Sequence, residues 1–391
     1  MNKNNIINKE SNENLIWLFL KRRKMKTYCP YRIAPLGAHI DHQYGVVSGC
    51  AINLGIHFDY EELNTDKIIL TSNDYDNEIT FNINDNLIKN NDWADYFRGI
   101  IKHIKDNYII NKGLKGYFKG DLPPGGISSS SSSQIAFLLA ICNINNIKLS
   151  KIEIINIVYT VEKEYMNLLV GILDPSCEVL SKSNSLLFLD TLTNYQLMIE
   201  NKEFNDKYQF IVIYSGVKRN LINSKYNQRV KELLDSYKAL NIENKYCYRL
   251  RDIPDYYFIN NIDKLNDIEY RRVTHYFSEM KRVKKGLKAW RNNDMISFGK
   301  LMTESCQSSI NNYESGSRYL IDLFNITILI DGVLGIRFLG AGFNGSSIAL
   351  IDKDKYINIK KEISNLYLNT YPELENSFKI IPVTICDGVD I

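Results

Sequence analysis

Few residues in this sequence bend or cross-link the chain. Eight prolines and 21 glycines in 391 residues are too few for a collagen-like or low-complexity polymer. The seven cysteines (Cys29, Cys50, Cys142, Cys177, Cys247, Cys306 and Cys386) are odd in number, scattered and never spaced as C-x-x-C. That pattern argues against a disulfide framework or a zinc site. No apolar run reaches the roughly 18 residues that a membrane-spanning helix needs. The short apolar stretch Leu15 to Leu20 follows Glu10 and Glu13 and precedes Lys21, Arg22 and Arg23, the wrong order for a secretory signal. A cytoplasmic chain with reduced thiols, starting near Met1, is therefore expected. An excess of one charge is also missing. With 48 basic and 45 acidic side chains the net charge is +3, and no basic stripe of the kind that binds nucleic acid stands out. Neither a nucleic-acid nor a membrane partner is expected, and the oligomeric state is read as monomer or weak oligomer.

What remains is an ordinary globular composition, 45% hydrophobic and 24% charged. The chain is long enough for two or three domains at about 150 residues each. Residues 46–52, 67–72 and 78–83 read as strands separated by Asn- and Asp-rich turns. A helix is predicted over 93–104 and a strand over 114–120. The loop from Asp121 through six consecutive serines leads into an apolar helix, with further helices over 151–166 and from Leu173. Strand character returns at 186–190 and 210–216, most of 225–330 is helical and charged, and strands recur at 335–340, 346–352 and near the C-terminus. Strands in patches and helices in patches favour an α+β fold over a regular doubly wound sheet.

Four segments concentrate chemistry. Pro123, Pro124, Gly125 and Gly126, then Ser128 to Ser133, place several unpaired backbone N–H groups at a helix start, a natural anion site. No G-x-x-x-x-G-K-[ST] loop is present. The segment Pro30 to Gly45 crowds Arg32, His39, Asp41 and His42 around Gly37 in what reads as a loop between strands. Such density suits recognition of hydroxyls, and a metal site on the two histidines and Asp41 is disfavoured for want of further ligands. Glu162 and Asp174 flank an apolar stretch containing Gly171, with Asp174 opening a helix where it could orient or deprotonate a hydroxyl. The run from Arg337 to Ile351 is a glycine-dense turn between strands. Taken alone, each admits a plainer reading: a Ser/Gly tether, a polar surface loop, an N-cap, a hairpin bend.

Together, in this order, the segments resemble the GHMP small-molecule kinases and most closely their galactokinase branch. Arg32, Gly37, Ala38, His39 and Asp41 are in register with the galactokinase signature. PPGGISSSSS is similar to the family's phosphate loop, VEKEYMNLLVGILDP to its acidic run and NSKYNQR to its tyrosine-bearing segment. LGAGFNGSS is similar to its third motif, and Trp93, Tyr96 and Gly99 to its adenine-side segment. The resemblance implies an ATP-dependent sugar-1-kinase using Mg²⁺, built from two α+β lobes over 1–200 and 201–391 with the active site in the cleft. It assigns Asp174 as the catalytic carboxylate, Arg32 as its cationic neighbour, and Ser130 and Glu162 as Mg²⁺ holders. Pro124, Gly125, Gly126, Ser128, Ser129, Ser130, Ser131, Trp93, Gly340 and Gly342 would contact ATP. Ala38, His39, Asp41, Gly171 and Tyr226 would face the sugar.

Ala38 stands where galactokinases carry a Glu facing the sugar's C6 hydroxyl, and the plant-type galacturonokinase branch is similar in having alanine there. Two anions about 4 Å apart repel by roughly 4 kcal/mol at an effective dielectric of 20, so alanine would admit a C6 carboxylate. D-galacturonate is the expected substrate. Galactose or galactosamine, and a non-catalytic sugar sensor on the same fold, are the alternatives. Lys218, Arg219 and Lys225 are candidate partners for the carboxylate by their nearness in sequence to Tyr226. Leu339, Asn344 and Ser346 depart from the third motif and Pro175 from the acidic run, and Cys306 replaces a usual His.

Overall fold

A computed structural model describes residues 24–217, 226–240, 248–343 and 345–391. Among them, eleven strands form two sheets. The first contains β1 (Met25–Leu36), β2 (Val46–Leu63), β3 (Lys67–Ser72), β4 (Ile79–Asn82), β5 (Gly113–Gly120), β6 (Ser185–Asp190) and β7 (Tyr195–Glu200). Its order is β4-β3-β5-β2-β6-β7, with β1 also paired to β2. Only β3 and β5 run parallel. The second sheet contains β8 (Tyr208–Tyr214), β9 (Val333–Phe338), β10 (Ser346–Asp352) and β11 (Lys379–Val383), all antiparallel in the order β11-β8-β10-β9.

The longer helices are α1 (Asp95–Lys105), α2 (Ser129–Ile144), α3 (Lys151–Thr160), α4 (Leu173–Leu180), α5 (Tyr226–Ala239), α6 (Asp267–Arg291), α7 (Met295–Asn311), α8 (Arg318–Thr327) and α9 (Tyr356–Thr370). The α+β expectation holds.

Two expectations are corrected. Arg32 lies on β1, opposite Ala51, and not in a loop. Pro30 and Pro35 hide the strand because proline cannot donate to a ladder. The chain accommodates both with register shifts between Pro30 and Tyr31 and between Ile33 and Leu36. The helix expected over 151–166 is α3 followed by a single π-turn over Val161–Tyr165, closed by the Met166 N–H on the Val161 carbonyl at 2.9 Å. Such a turn carries one extra residue per hydrogen bond and re-aims the side chains on it. Glu162 is one of these.

α2 packs on β1 and β2 and is apolar on nearly all sides. Every residue from Ile135 to Ile141 is buried, the mark of a helix inside the core rather than on its surface. Ser128 at its N-cap adopts a left-handed φ of 67°, which turns the glycine loop sharply into the helix.

Two contacts join the sheets. Residues beyond β11 return to the first sheet: the Asn53 N–H donates to the Thr384 carbonyl and the Cys386 N–H to that of Ala51, both at 3.0 Å. Elsewhere, the glycine loop before α2 lies against the turn between β9 and β10. A Cβ on Gly345 would stand 2.4 Å from the Gly125 carbonyl oxygen, and one on Gly126 2.7 Å from that of Leu339. Gly345 also has φ +98°, so a side chain there meets both a clash and backbone strain. Gly345→Ala is expected to cost about 1–3 kcal/mol and to raise the KM for ATP. Thermal unfolding and steady-state kinetics check this, and an unchanged Tm would remove the loop contact from the account.

Candidate active site

At the junction of the two sheets lies a cavity lined by Arg32, Ala38, His39, Asp41, Ser130, Glu162, Gly171, Asp174, Arg337 and Gly340, with Tyr96 at one side. β1 delivers Arg32 to it. The guanidinium is buried and grips Asp174 with two parallel bonds, Nε to Oδ1 and Nη2 to Oδ2, each 2.6 Å. Nη1 donates to the Gly126 carbonyl at 2.8 Å. One side chain therefore ties the strand, the glycine loop and the start of α4. Planar bidentate pairing fixes a carboxylate's direction as well as its distance. Asp174 remains about a third exposed (32%) to the cavity. It makes no N-cap bond, so its plainer reading as a cap does not hold.

The π-turn presents Glu162 to the same space. Its Oε1 accepts from Ser130 Oγ at 3.3 Å and from Gln134 Nε2 at 3.0 Å. Burial first, then the charge of Asp174, push its pKa up to about 7. A third carboxylate, Glu178, lies one helical turn beyond Asp174 on α4, fully buried, and takes hydroxyl bonds from Ser131 at 2.6 Å and Ser132 at 2.8 Å. Burial and Asp174 drive its pKa well above the usual carboxylate range. The Ser131 hydroxyl is thus turned inward, which leaves that residue only backbone groups to offer a phosphate.

The Gly37–Ala38 backbone is held from α6. Glu279 Oε1 accepts from the amides of Gly37 at 2.7 Å and Ala38 at 3.1 Å, while Oε2 accepts from Arg282 Nε at 2.7 Å. Burial alone would raise Glu279, but Arg282 above all, with Arg337 and the Ser305 hydroxyl, holds it down to about 2. His275 Nε2 lies 2.8 Å from the Ala38 carbonyl and Nδ1 2.9 Å from Ser308 Oγ. A carbonyl can only accept, so Nε2 carries the proton. Burial lowers the pKa of His275 to about 4, which keeps the ring neutral.

His39, at φ +58°, stacks flat on Tyr313 with centroids 4.2 Å apart, and its Nε2 lies 3.3 Å from Ser315 Oγ. Asp41 stands in a short 3₁₀ turn, Asp41–Gln43. Gly171 backs onto it so closely that a Cβ would fall 2.0 Å from the Asp41 carboxylate, so only glycine fits.

A model of the GHMP kinases N terminal domain matches residues 95–182. A galacturonokinase of Arabidopsis thaliana is 32% identical over 386 residues, spanning 92% of this chain and 91% of its own length. The chain belongs to the GHMP kinase family. A galactokinase of Thermococcus kodakarensis is 30% identical over 359 residues, 92% of this chain and 98% of its own. The crystal structure of Lactococcus lactis galactokinase complexed with galactose matches with a TM-score of 0.86 at 25% identity, covering 98% of this chain and 99% of that one. This GHMP kinase is a sugar kinase of the galactokinase and galacturonokinase type, with ATP and a sugar as its substrates.

Of the residues singled out in the sequence of this GHMP kinase, the cavity gathers Arg32, Asp174, Glu162, Ser130, Ala38, His39, Asp41, Gly171 and Gly340. Pro124, Gly125, Gly126, Ser128 and Ser129 form the approach to α2, and Gly342 turns the opposing loop at φ +73°. Trp93 is not part of the lining. Its ring stacks on Tyr75 with centroids 5.4 Å apart and meets Phe97 and Phe118 edge-on. The side chain of Tyr226, and Lys218, Arg219 and Lys225, lie outside the described residues.

Glu178, His275, Glu279 and Arg337 were not singled out for a role. A spacing of four could have marked two pairs, Asp174 with Glu178 and His275 with Glu279. Among the described residues, no helix is long and apolar enough to cross a membrane.

Because Glu162 binds its proton more tightly in the folded protein than in the unfolded chain, its ionisation works against folding. Stability is lost as pH rises from about 4.5 to about 7 and stays lost above. Glu162→Gln should therefore raise the Tm at pH 8 without metal by at least about 2 °C, with the gain vanishing near pH 5. Unfolding scans across that range check the sign, and a gain larger at pH 5 than at pH 8 would contradict it.

Proposed function

We propose that this sugar kinase transfers the γ-phosphate of ATP to the anomeric C1 hydroxyl of D-galacturonate, giving galacturonate 1-phosphate and ADP. The observation that carries the choice of sugar is Ala38. Its amide and carbonyl are fixed by Glu279 and His275, so an uncharged methyl stands on the cavity wall where galactokinases resemble one another in having Glu. The 32% identity to a relative named galacturonokinase supports the same reading.

Asp174 is the group that orients the C1 hydroxyl and accepts its proton while the hydroxyl oxygen attacks the γ-phosphorus. The bond from that phosphorus to the β–γ bridging oxygen breaks, and ADP leaves with its electron pair. Arg32 holds Asp174 in place and adds positive charge beside the transferring group. Such a reaction asks mainly for positioning and charge neutralisation.

A cation fits beside Ser130 and Glu162, because a hydroxyl and a buried carboxylate face each other there with the charge of Asp174 nearby. Mg²⁺ commonly takes one or two such protein oxygens plus phosphate oxygens. Ser130 and Glu162 would hold it, and it would supply charge neutralisation on the phosphates. Asp41 and His39 line the sugar end, and the loop from Pro124 to Ser131 offers its free N–H groups to ATP.

Two tests follow. Asp174→Asn should lower kcat by about 10²–10⁴-fold while the far-UV circular dichroism stays that of the parent. Parent-like turnover would end the assignment. Coupled ADP release with galacturonate, galactose, glucuronate and galactosamine side by side should favour galacturonate. Ala38→Glu should shift the galacturonate-to-galactose ratio of kcat/KM by about 10³-fold toward galactose, the equivalent of roughly 4 kcal/mol. A parent enzyme that prefers galactose would return it to the galactokinases, and silence on all four sugars would favour a non-catalytic sensor.

A further inference from the structure

Six arginines are buried among the described residues: Arg32, Arg98, Arg229, Arg272, Arg282 and Arg337. Five of them are ion-paired, with Asp174, Asp92 and Asp95, Glu232, Glu232 again, and Glu279 respectively. Arg337, on β9 and only 3% exposed, is the exception. Its Nε donates to the Phe338 carbonyl at 3.0 Å. Its Nη1 is buried without a hydrogen-bond partner among the described residues. A buried guanidinium left this way is costly, and such groups are normally paired.

Nearby protein acceptors are already engaged. Glu279, the carboxylate whose field Arg337 feels most strongly, takes bonds from Gly37, Ala38, Ser305 and Arg282. Arg337 also lines the cavity, together with Ala38. An acidic residue at position 38 would give Arg337 a counter-ion from within the protein. Alanine leaves that place for a ligand. The sequence candidates for a carboxylate-binding cation, Lys218, Arg219 and Lys225, were chosen by proximity in the chain alone, whereas Arg337 is brought there by the fold.

We infer that Arg337 is the specificity-determining cation that receives the C6 carboxylate of a uronic-acid substrate, through its guanidinium. This rests on the galacturonate reading above. A phosphate oxygen of ATP has the same anionic chemistry, so the test must separate the two.

Steady-state kinetics are measured for the parent, Arg337→Lys and Arg337→Met with galacturonate, galacturonamide and galactose, and with ATP varied separately. Arg337→Met should raise the KM for galacturonate by about 100-fold and change the values for galactose and ATP far less, with far-UV circular dichroism and thermal unfolding reporting the fold. Arg337→Lys should lose less. Galacturonamide should be a poor substrate for the parent and no poorer for Arg337→Met, because the interaction is already absent. Equal losses on all three sugars with a raised KM for ATP would assign Arg337 to the phosphates and overturn the inference. So would an unchanged KM for galacturonate. Should Arg337→Met not fold, Arg337→Lys and the parent's discrimination between acid and amide decide: equal use of the two by the parent overturns the inference. If the parent itself rejects galacturonate and takes galactose, the substrate reading has failed and the role of Arg337 falls with it, an outcome visible before any variant is made.

Discussion

Arg32 is surrounded by three carboxylates, and it commits its fork to only one of them. Asp174 takes two of its bonds, while Glu162 and Glu178 stand farther off in the same field, both raised in pKa by burial and by Asp174. The third bond, to the Gly126 carbonyl, fixes the loop that leads into α2. Remove Arg32 and the strand, the loop and the helix that carries Asp174 lose their common anchor. With Glu178 held protonated and Glu162 partly so near neutral pH, the charge of Arg32 is matched mainly by Asp174. Entering phosphate groups would add negative charge that this pair does not neutralise, and beside it the Ser130 hydroxyl and the Glu162 carboxylate face each other.

The sugar end is organised by a different element. α6 reaches from the second half of the chain to hold both backbone groups of Ala38, through a carboxylate pulled down to about 2 and a histidine pulled down to about 4. Both pKa values fall, yet the outcome differs, since Glu279 stays charged and His275 stays neutral. Glu279 is supplied with cations and donors, whereas His275 is asked only to donate one proton and accept another. The backbone at position 38 is thus held at both its amide and its carbonyl, and the side chain there borders the cavity from a fixed support.

Much of this was legible in the sequence because the chemistry is local there: a glycine loop before a helix and a carboxylate at a helix start. The parts that were not legible are long-range. β1 was obscured by two prolines whose missing donors are tolerated through register shifts. The π-turn looked like a continuation of α3, since one extra residue per turn leaves the apolar pattern of Ile154 to Val161 intact. Glu279 sits on α6 among many charged residues, and nothing local distinguishes a carboxylate that is fully buried from its solvated neighbours. Trp93, read from its motif as an adenine-side residue, packs on Tyr75, Phe97 and Phe118.

The segment after β11 has a consequence for how the protein is made. Its amides bond Ala51, Glu178 and Ser181, so the middle strand of the first sheet and the helix bearing Asp174 are finished by a segment that begins at Thr384, 331 positions from Asn53. On a ribosome adding about 5–20 residues per second, the first sheet can assemble its own hairpins early, but this closure waits until nearly all of the chain between them has emerged. In the interval the Asn53 side of β2 is an uncovered edge.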